Sequence, residues 1–156
     1  MSDIAIAVSL HLLGVVWWIG GLAFVSAVLL PELRRDPAGA LVRFRAIEHR
    51  FAPQVRIAIL LVGASGAWML YRLELWRVLD EPGFWWLHAM LALWGLFFLM
   101  LFVLGPLGVL RRVMSGSLEA NMPRRLARMH YLHVILLILA LITIAGAVAG
   151  SHGGFG

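Results

Sequence analysis

The chain contains no cysteine and no lysine, and only 13% of its 156 residues are charged. The absence of cysteine excludes disulfide bonds and thiolate metal sites, although it does not identify a cellular compartment. The eight acidic residues lie in loops or near helix ends, and no nucleophile–base set, carboxylate pair or phosphate-binding loop is present. Hydrolase chemistry is therefore not expected, and the sequence identifies no catalytic residue.

Hydrophobic residues make up 62% of the chain, and the mean hydropathy of +0.92 is typical of a membrane protein. The stretch 84–110 has no Asp, Glu, Lys or Arg and exceeds the roughly 20 apolar residues that span a bilayer as a helix. Three more apolar stretches lie at about 4–30, 51–71 and 129–150. Because the connections are too short for a soluble domain, we predict an all-α fold: one integral membrane four-helix bundle over residues 1–156.

Arginine supplies all 13 basic residues, and the distribution of these residues predicts the orientation of the bundle. Two of them, Arg72 and Arg77, lie in or beside the second connection, and the other eleven lie in or beside the first and third. An excess of positive charge marks cytoplasmic loops. We therefore predict a multi-pass protein of the bacterial inner membrane, with the first and third loops cytoplasmic and both termini periplasmic. Its basic surface is expected to contact anionic lipid of the bilayer and no nucleic acid.

The six histidines fall into two layers when the four helices alternate in direction. The outer layer comprises His11, His88 and His152, and the inner layer comprises His49, His130 and His133. An ionisable side chain inside a membrane is a functional hypothesis by default, because burying it in lipid is costly. Two histidines on different helices at one depth form the arrangement that a membrane haem b requires, since each imidazole can bind iron at an axial position. The outer candidate pair is His11 with His88.

A second candidate haem site lies in the inner layer. His49 at the start of the second helix is at the same depth as His130 and His133 of the fourth, and either of these could be its partner. Haem propionates favour arginine as a charged hydrogen-bond donor. Three arginines lie near this layer: Arg50, Arg56 and Arg128.

Copper is the alternative occupant of the outer layer. Met69 and Met90 fall at the depth of His11, His88 and His152, and nitrogen and sulfur ligands together suit copper. The candidate metal ligands are therefore His11, His88 and Met90, with His133 as the candidate of the inner layer.

Three stretches carry motifs of moderate specificity. They are WWIGGLAF, which follows His11 and precedes Leu30–Pro31, then IEHRFAPQVRIAILLVGASGAWML in the second helix, and WWLHAML in the third. These motifs resemble the CopD/HemJ-like group of small bacterial inner-membrane proteins, and the resemblance covers roughly residues 10–105, extending more loosely to the fourth helix.

The HemJ branch of this group is similar to haem-binding enzymes that oxidise protoporphyrinogen, and the resemblance implies that His11 and His88 are the functional histidines. That branch usually carries a lysine two residues after the third-helix histidine, where this chain has Met90. The CopD branch implies copper handling across the inner membrane, with which Met90 is compatible.

Three functions therefore compete. The favoured one is a haem b-binding electron-transfer protein, as a quinol-linked or HemJ-like oxidoreductase, with a quinone or a redox protein as partner. The second is CopD-like copper transport or copper binding. The third is a non-catalytic accessory membrane subunit whose histidines only form hydrogen bonds. The sequence leaves open the number of haems and whether the chain forms a homo-oligomer.

Overall fold

The computed structural model describes residues 2–107 and 122–153, and every regular element in these two ranges is helical. Four helices are long and apolar enough to cross a membrane, as the all-α prediction requires. They are α1, Asp3–Arg35; α2, Ala40–Arg72; α3, Trp85–Phe98 with its continuation Leu99–Leu104; and α4, Met122–Ser151. The predicted inner end of the third span, 108–110, and the connection 111–121 lie outside the described residues.

α1 continues through Pro31 to Arg35, beyond the predicted end of the first span. Its first turn is capped by Ser2, whose hydroxyl accepts a 3.2 Å hydrogen bond from the Ala5 N–H. A π-helical turn, Val25–Leu29, ends two residues before the proline. Proline removes a helical N–H and crowds the preceding turn, and a wider turn relieves that crowding, so the helix does not stop there.

α2 begins at Ala40, eleven residues before the start at residue 51 that hydropathy predicts. The additional residues are rich in arginine, so they extend the helix without extending its apolar stretch. Gly39 precedes them with φ of 65°, a left-handed conformation that favours glycine. Pro53 consequently lies inside the helix and not in its first turn.

α1 and α2 pack closely because glycines on α1 receive side chains of α2. A Cβ at Gly14 would lie 2.7 Å from Val62 Cγ2, and a Cβ at Gly21 would overlap the ring of Phe51. Small residues at such contacts let helix backbones approach in membranes, where van der Waals packing drives association. This pair of helices positions the side chains of the candidate site.

α3 packs against both α2 and α4 through tryptophans that cover glycines. The rings of Trp85 and Trp86 lie over Gly146 and Gly150 of α4. Nevertheless, only 6% of the most apolar stretch of α3 is buried, against 39% for α1. α3 is therefore the span that the bundle covers least.

Two clusters of buried side chains hold the four helices together. The larger one, in the middle of the bundle, comprises Trp18, Ile19, Ala58, Ile59, Val62 and Ala140. The smaller one, at the end where α1 connects to α2, comprises Leu29, Leu33, Ala40 and Leu126. At the opposite end, an ion pair of 2.8 Å joins Asp3 of α1 to Arg72 of α2.

Candidate functional site

His11 lies about two turns inside the outer end of α1, and its ring is turned toward α2. Its Nδ1 is 3.1 Å from the backbone carbonyl oxygen of Val62 and 3.2 Å from the hydroxyl of Ser65. Because a carbonyl oxygen can only accept, Nδ1 carries the proton in the neutral ring, and Nε2 keeps its lone pair. The geometry thus leaves Nε2 of His11 available as a ligand atom.

Ser65 and Gly66 of α2 shape the environment of this imidazole. The Ser65 hydroxyl donates to the carbonyl of Leu61 at 2.6 Å, so its oxygen remains free to accept from His11. A Cβ at Gly66 would lie 3.3 Å from Cε1 of His11, so the missing side chain leaves room for the ring. Neither residue was among the predicted site residues, although the run of small residues GASG in an apolar span was a signal for them.

His88 lies one turn into α3 and is exposed. Leu87 and Trp94, which face the bundle, lie roughly 100–120° away from it around the helix. Within the described part of the chain His88 forms no hydrogen bond, and none joins it to His11. The pairing of His11 with His88 stays a prediction.

The two inner-layer histidines of α4 carry their protons on different nitrogens. Nδ1 of His130 is 2.8 Å from a guanidinium nitrogen of Arg34, which can only donate, so the His130 proton lies on Nε2. Nδ1 of His133 is 2.9 Å from the carbonyl oxygen of Met129, so the proton lies on Nδ1. Of this pair, His133 is therefore the one with a free Nε2.

His49 and Arg50 lie on the arginine-rich extension of α2, and both are exposed. The backbone carbonyl of Arg50 accepts a 3.1 Å hydrogen bond from the side chain of Gln54. No hydrogen bond joins His49 to His130 or His133 among the described residues. An inner-layer site containing His49 stays a prediction.

Arg56 and Trp18 each bury a nitrogen that has no hydrogen-bond acceptor among the described residues. These atoms are Nε of Arg56 and Nε1 of Trp18. Trp18 is only 5% exposed, and its ring meets that of Phe97 edge-on at 5.0 Å. Two unsatisfied donors in the middle of the bundle are costly unless something supplies an acceptor.

Met90 and Met69, the predicted sulfur ligands for copper, are both partly buried. Within 2–107 and 122–153, no three His, Asp or Glu side chains come close enough to hold a metal ion together. A copper site with several imidazole ligands is therefore not formed by these residues alone.

No family model, curated protein or solved structure matches the chain. The resemblance to the CopD/HemJ-like group stays a prediction, and the function has to be argued from the arrangement of the side chains.

Proposed function

We propose that the chain is a haem b-binding protein of the bacterial inner membrane, in which Nε2 of His11 would hold the haem iron. One observation supports this most directly: Nδ1 of His11 is held by the Val62 carbonyl, while Nε2 is free. Histidines that bind metals almost always donate their other N–H to a carbonyl, carboxylate or water, which fixes the tautomer and the ring orientation.

Haem fits the donor set better than a bare metal ion does. The porphyrin supplies four nitrogen ligands, so the protein needs to supply only one or two imidazoles and no cluster of three. No three His, Asp or Glu side chains come together among the described residues, and haem does not require such a cluster. When bound, haem would supply one-electron redox chemistry.

His88 is the proposed second ligand at the outer layer. Its imidazole makes no hydrogen bond within the described chain, so no existing interaction competes with ligation. At the inner layer we favour His133 over His130, because Arg34 occupies Nδ1 of His130 and leaves a proton on its Nε2. The role of these residues would be to hold and orient the group, with electrons passing to a quinone or a protein partner.

The orientation that we propose has both termini in the periplasm. Arg34, Arg35 and Arg43 lie together at one end of the bundle, where α1 connects to α2. Arg72 lies at the opposite end, paired with Asp3. Arg35 and Arg43 are also paired with carboxylates, but the number of arginines is larger at the first end, and an excess of basic residues favours the cytoplasmic side.

An absorption spectrum of the purified, detergent-solubilised protein, with metal analysis, tests the proposal. We expect a Soret band that is lost or shifted in His11→Ala and in His88→Ala. His152→Ala, which changes another outer-layer histidine, is the matched control and should keep the wild-type spectrum. A Soret band unchanged in His11→Ala contradicts the proposal.

Two other results would favour the alternative functions. A colourless protein that binds copper, and that loses copper in Met90→Ala, would support copper handling. A colourless and metal-free protein, whose histidine variants change only yield, would support an accessory subunit.

A further inference from the structure

The strongest unexplained feature outside the His11 site is the pair of buried donors, Arg56 Nε and Trp18 Nε1. None of the ion pairs in the described part of the chain involves Arg56. A guanidinium inside a membrane span is expensive unless an anion accompanies it. The fold therefore presents two buried N–H donors, one of them on a cationic side chain, that lack an acceptor among the described residues.

The two donors lie at the same depth. Asp3 and Arg72 are paired at the outer end, which sets a common level for α1 and α2. Trp18 and Arg56 are 15 and 16 residues further in, so both lie roughly 22–24 Å from that ion pair at 1.5 Å per residue. Since the hydrocarbon core is about 30 Å thick, both donors lie within its inner half.

The same stretch of α3 lies beside both donors. Arg56 is seven residues before Gly63 and therefore on the same face of α2, which the ring of Trp94 covers farther out. On α3 the rings of Trp94, Phe98 and Phe102 form a stacked series, with centroids 5.1 Å and 4.8 Å apart, that runs inward from Gly63 toward the level of Arg56.

Trp18 approaches α3 from α1, through its edge contact with Phe97. The next residues of α3, Leu99–Leu104, form a π-helical segment. Such segments occur frequently at functional sites. The two donors thus flank an aromatic surface and an irregular turn of the same helix.

We infer that Arg56 and Trp18 form a binding site for a carboxylate carried on an apolar body. A carboxylate offsets the guanidinium charge and can accept from Arg56 and from Trp18 at the same time. A neutral carbonyl would leave the positive charge uncompensated, and a lipid phosphate would remain at the membrane surface, away from the buried indole N–H of Trp18. The apolar body would lie against the aromatic rings of α3.

Two sources could supply this carboxylate: a propionate of the proposed haem, or a free long-chain fatty acid from the bilayer. In the first case the inference rests on the proposed function, whereas in the second case it stands without haem. Two pairs of probes distinguish them: haem b against its dimethyl ester, and palmitate against hexadecanol. Each pair differs only in whether carboxylates are present.

The test uses the full-length protein in a neutral detergent. Arg56→Met removes the charge and the Nε donor, and Trp18→Phe removes the indole N–H together with the five-membered ring while keeping an aromatic side chain. Arg45→Met and Trp17→Phe are matched controls, because Arg45 and Trp17 are exposed on the same helices. Haem binding is followed at the Soret band, and palmitate binding by equilibrium dialysis of labelled palmitate.

Whichever carboxylate probe binds the wild-type protein, we expect Arg56→Met to lower its affinity by about 10- to 100-fold. We expect Trp18→Phe to lower that affinity by about 3- to 10-fold. The ester and the alcohol should bind wild type and Arg56→Met equally. If Arg56→Met lowers the affinity for haem and not for palmitate, the carboxylate is a haem propionate. If the protein binds palmitate and no haem, the inference is supported and the proposed function is contradicted. If neither probe binds, or if Arg56→Met binds within twofold of wild type, the inference is overturned.

Thermal unfolding of the ligand-free protein separates this role from a structural one. Removing a buried Nε donor that has no acceptor should raise the melting temperature of Arg56→Met. A lower melting temperature with unchanged probe affinity means that Arg56 serves packing alone, which overturns the inference. If Arg56→Met does not fold, Arg56→Lys keeps the charge, lacks the Nε donor, and should still weaken the probe several-fold.

Discussion

The indole Nε1 of Trp94 on α3 donates a 3.0 Å hydrogen bond to the backbone carbonyl of Ile59 on α2. The same ring covers Gly63, one turn further along α2. α3 buries little of its surface, so this polar contact and the close approach at Gly63 largely decide how α3 sits on α2. The orientation of α3 in turn decides which way His88 points.

We predict that Gly63→Ala destabilises the bundle by about 1–3 kcal/mol. The new Cβ would lie 2.6 Å from the Trp94 ring, which cannot move without stretching its hydrogen bond to Ile59. Thermal unfolding in detergent measures the change. Gly95→Ala is the matched control: no atom lies within 4 Å of its Cβ, so the same chemical change should be neutral or stabilising by up to about 1 kcal/mol.

A double variant tests the cause of this loss. Trp94→Leu removes the ring that the new methyl group would meet, so Gly63→Ala should cost much less in that background than in wild type. Equal costs in the two backgrounds would show that the contact with Trp94 is not responsible.

The pattern of apolar residues was sufficient to predict four helices. It mispredicted helix ends where a helical segment is polar. The arginine-rich extension of α2 from Ala40 is helical but not apolar, so a hydropathy criterion begins the span at residue 51. Pro31 indicated an end to α1, but the π-helical turn Val25–Leu29 accommodates it.

The sequence predicted the depth of the candidate histidines in the membrane, but not the direction in which their side chains point. Alternating helices place His11 and His88 in one layer, but α3 is apolar around its whole circumference, so no pattern indicates which face meets α2. The sequence also could not predict which ring nitrogen of each histidine is free. It depends on the Val62 carbonyl for His11 and, for His130, on Arg34, which is 96 residues away in the chain.

We predict that Gly66→Val lowers haem occupancy about 10-fold or more, because the added side chain would displace the His11 ring from its position beside α2. Haem content per protein, measured by the pyridine haemochrome assay, gives the occupancy. Gly20→Val is the control, because no atom lies within 4 Å of a Cβ there. If Gly66→Val keeps wild-type haem content, the position of the His11 ring does not matter for binding.

Ser65→Ala should have a milder effect than Gly66→Val. It removes one of two acceptors near Nδ1 of His11, and the carbonyl of Val62, 3.1 Å away, remains to hold the proton. We expect haem affinity to fall by less than about 10-fold, since loss of such a supporting partner typically costs 10–100-fold when nothing replaces it. A complete loss of haem in Ser65→Ala would mean that the serine, and not the backbone carbonyl, orients the ring.

The imidazole tautomers provide a test that needs no ligand. In haem-free protein labelled with ¹⁵N-histidine, we expect His11 and His133 to be protonated on Nδ1 and His130 on Nε2, because their partners are two carbonyls and a guanidinium. The ¹⁵N chemical shifts distinguish the two forms. Arg34→Met should release His130 from its tautomer and leave His11 unchanged. If His130 keeps its Nε2 proton without Arg34, the guanidinium does not select the tautomer.

The absence of cysteine makes the proposed orientation directly testable, since any introduced thiol is the only one in the chain. Ser2→Cys and Ser151→Cys place it at the ends predicted to be periplasmic, and Ala38→Cys places it in the short loop between α1 and α2. All three positions are exposed, so accessibility to a membrane-impermeant maleimide depends on the side of the membrane and not on burial. We expect Ser2→Cys and Ser151→Cys to be labelled once the outer membrane is permeabilised, and Ala38→Cys only after the inner membrane is lysed. The reverse pattern would place the His11 layer near the cytoplasm, where a haem held by it would exchange electrons with the opposite compartment.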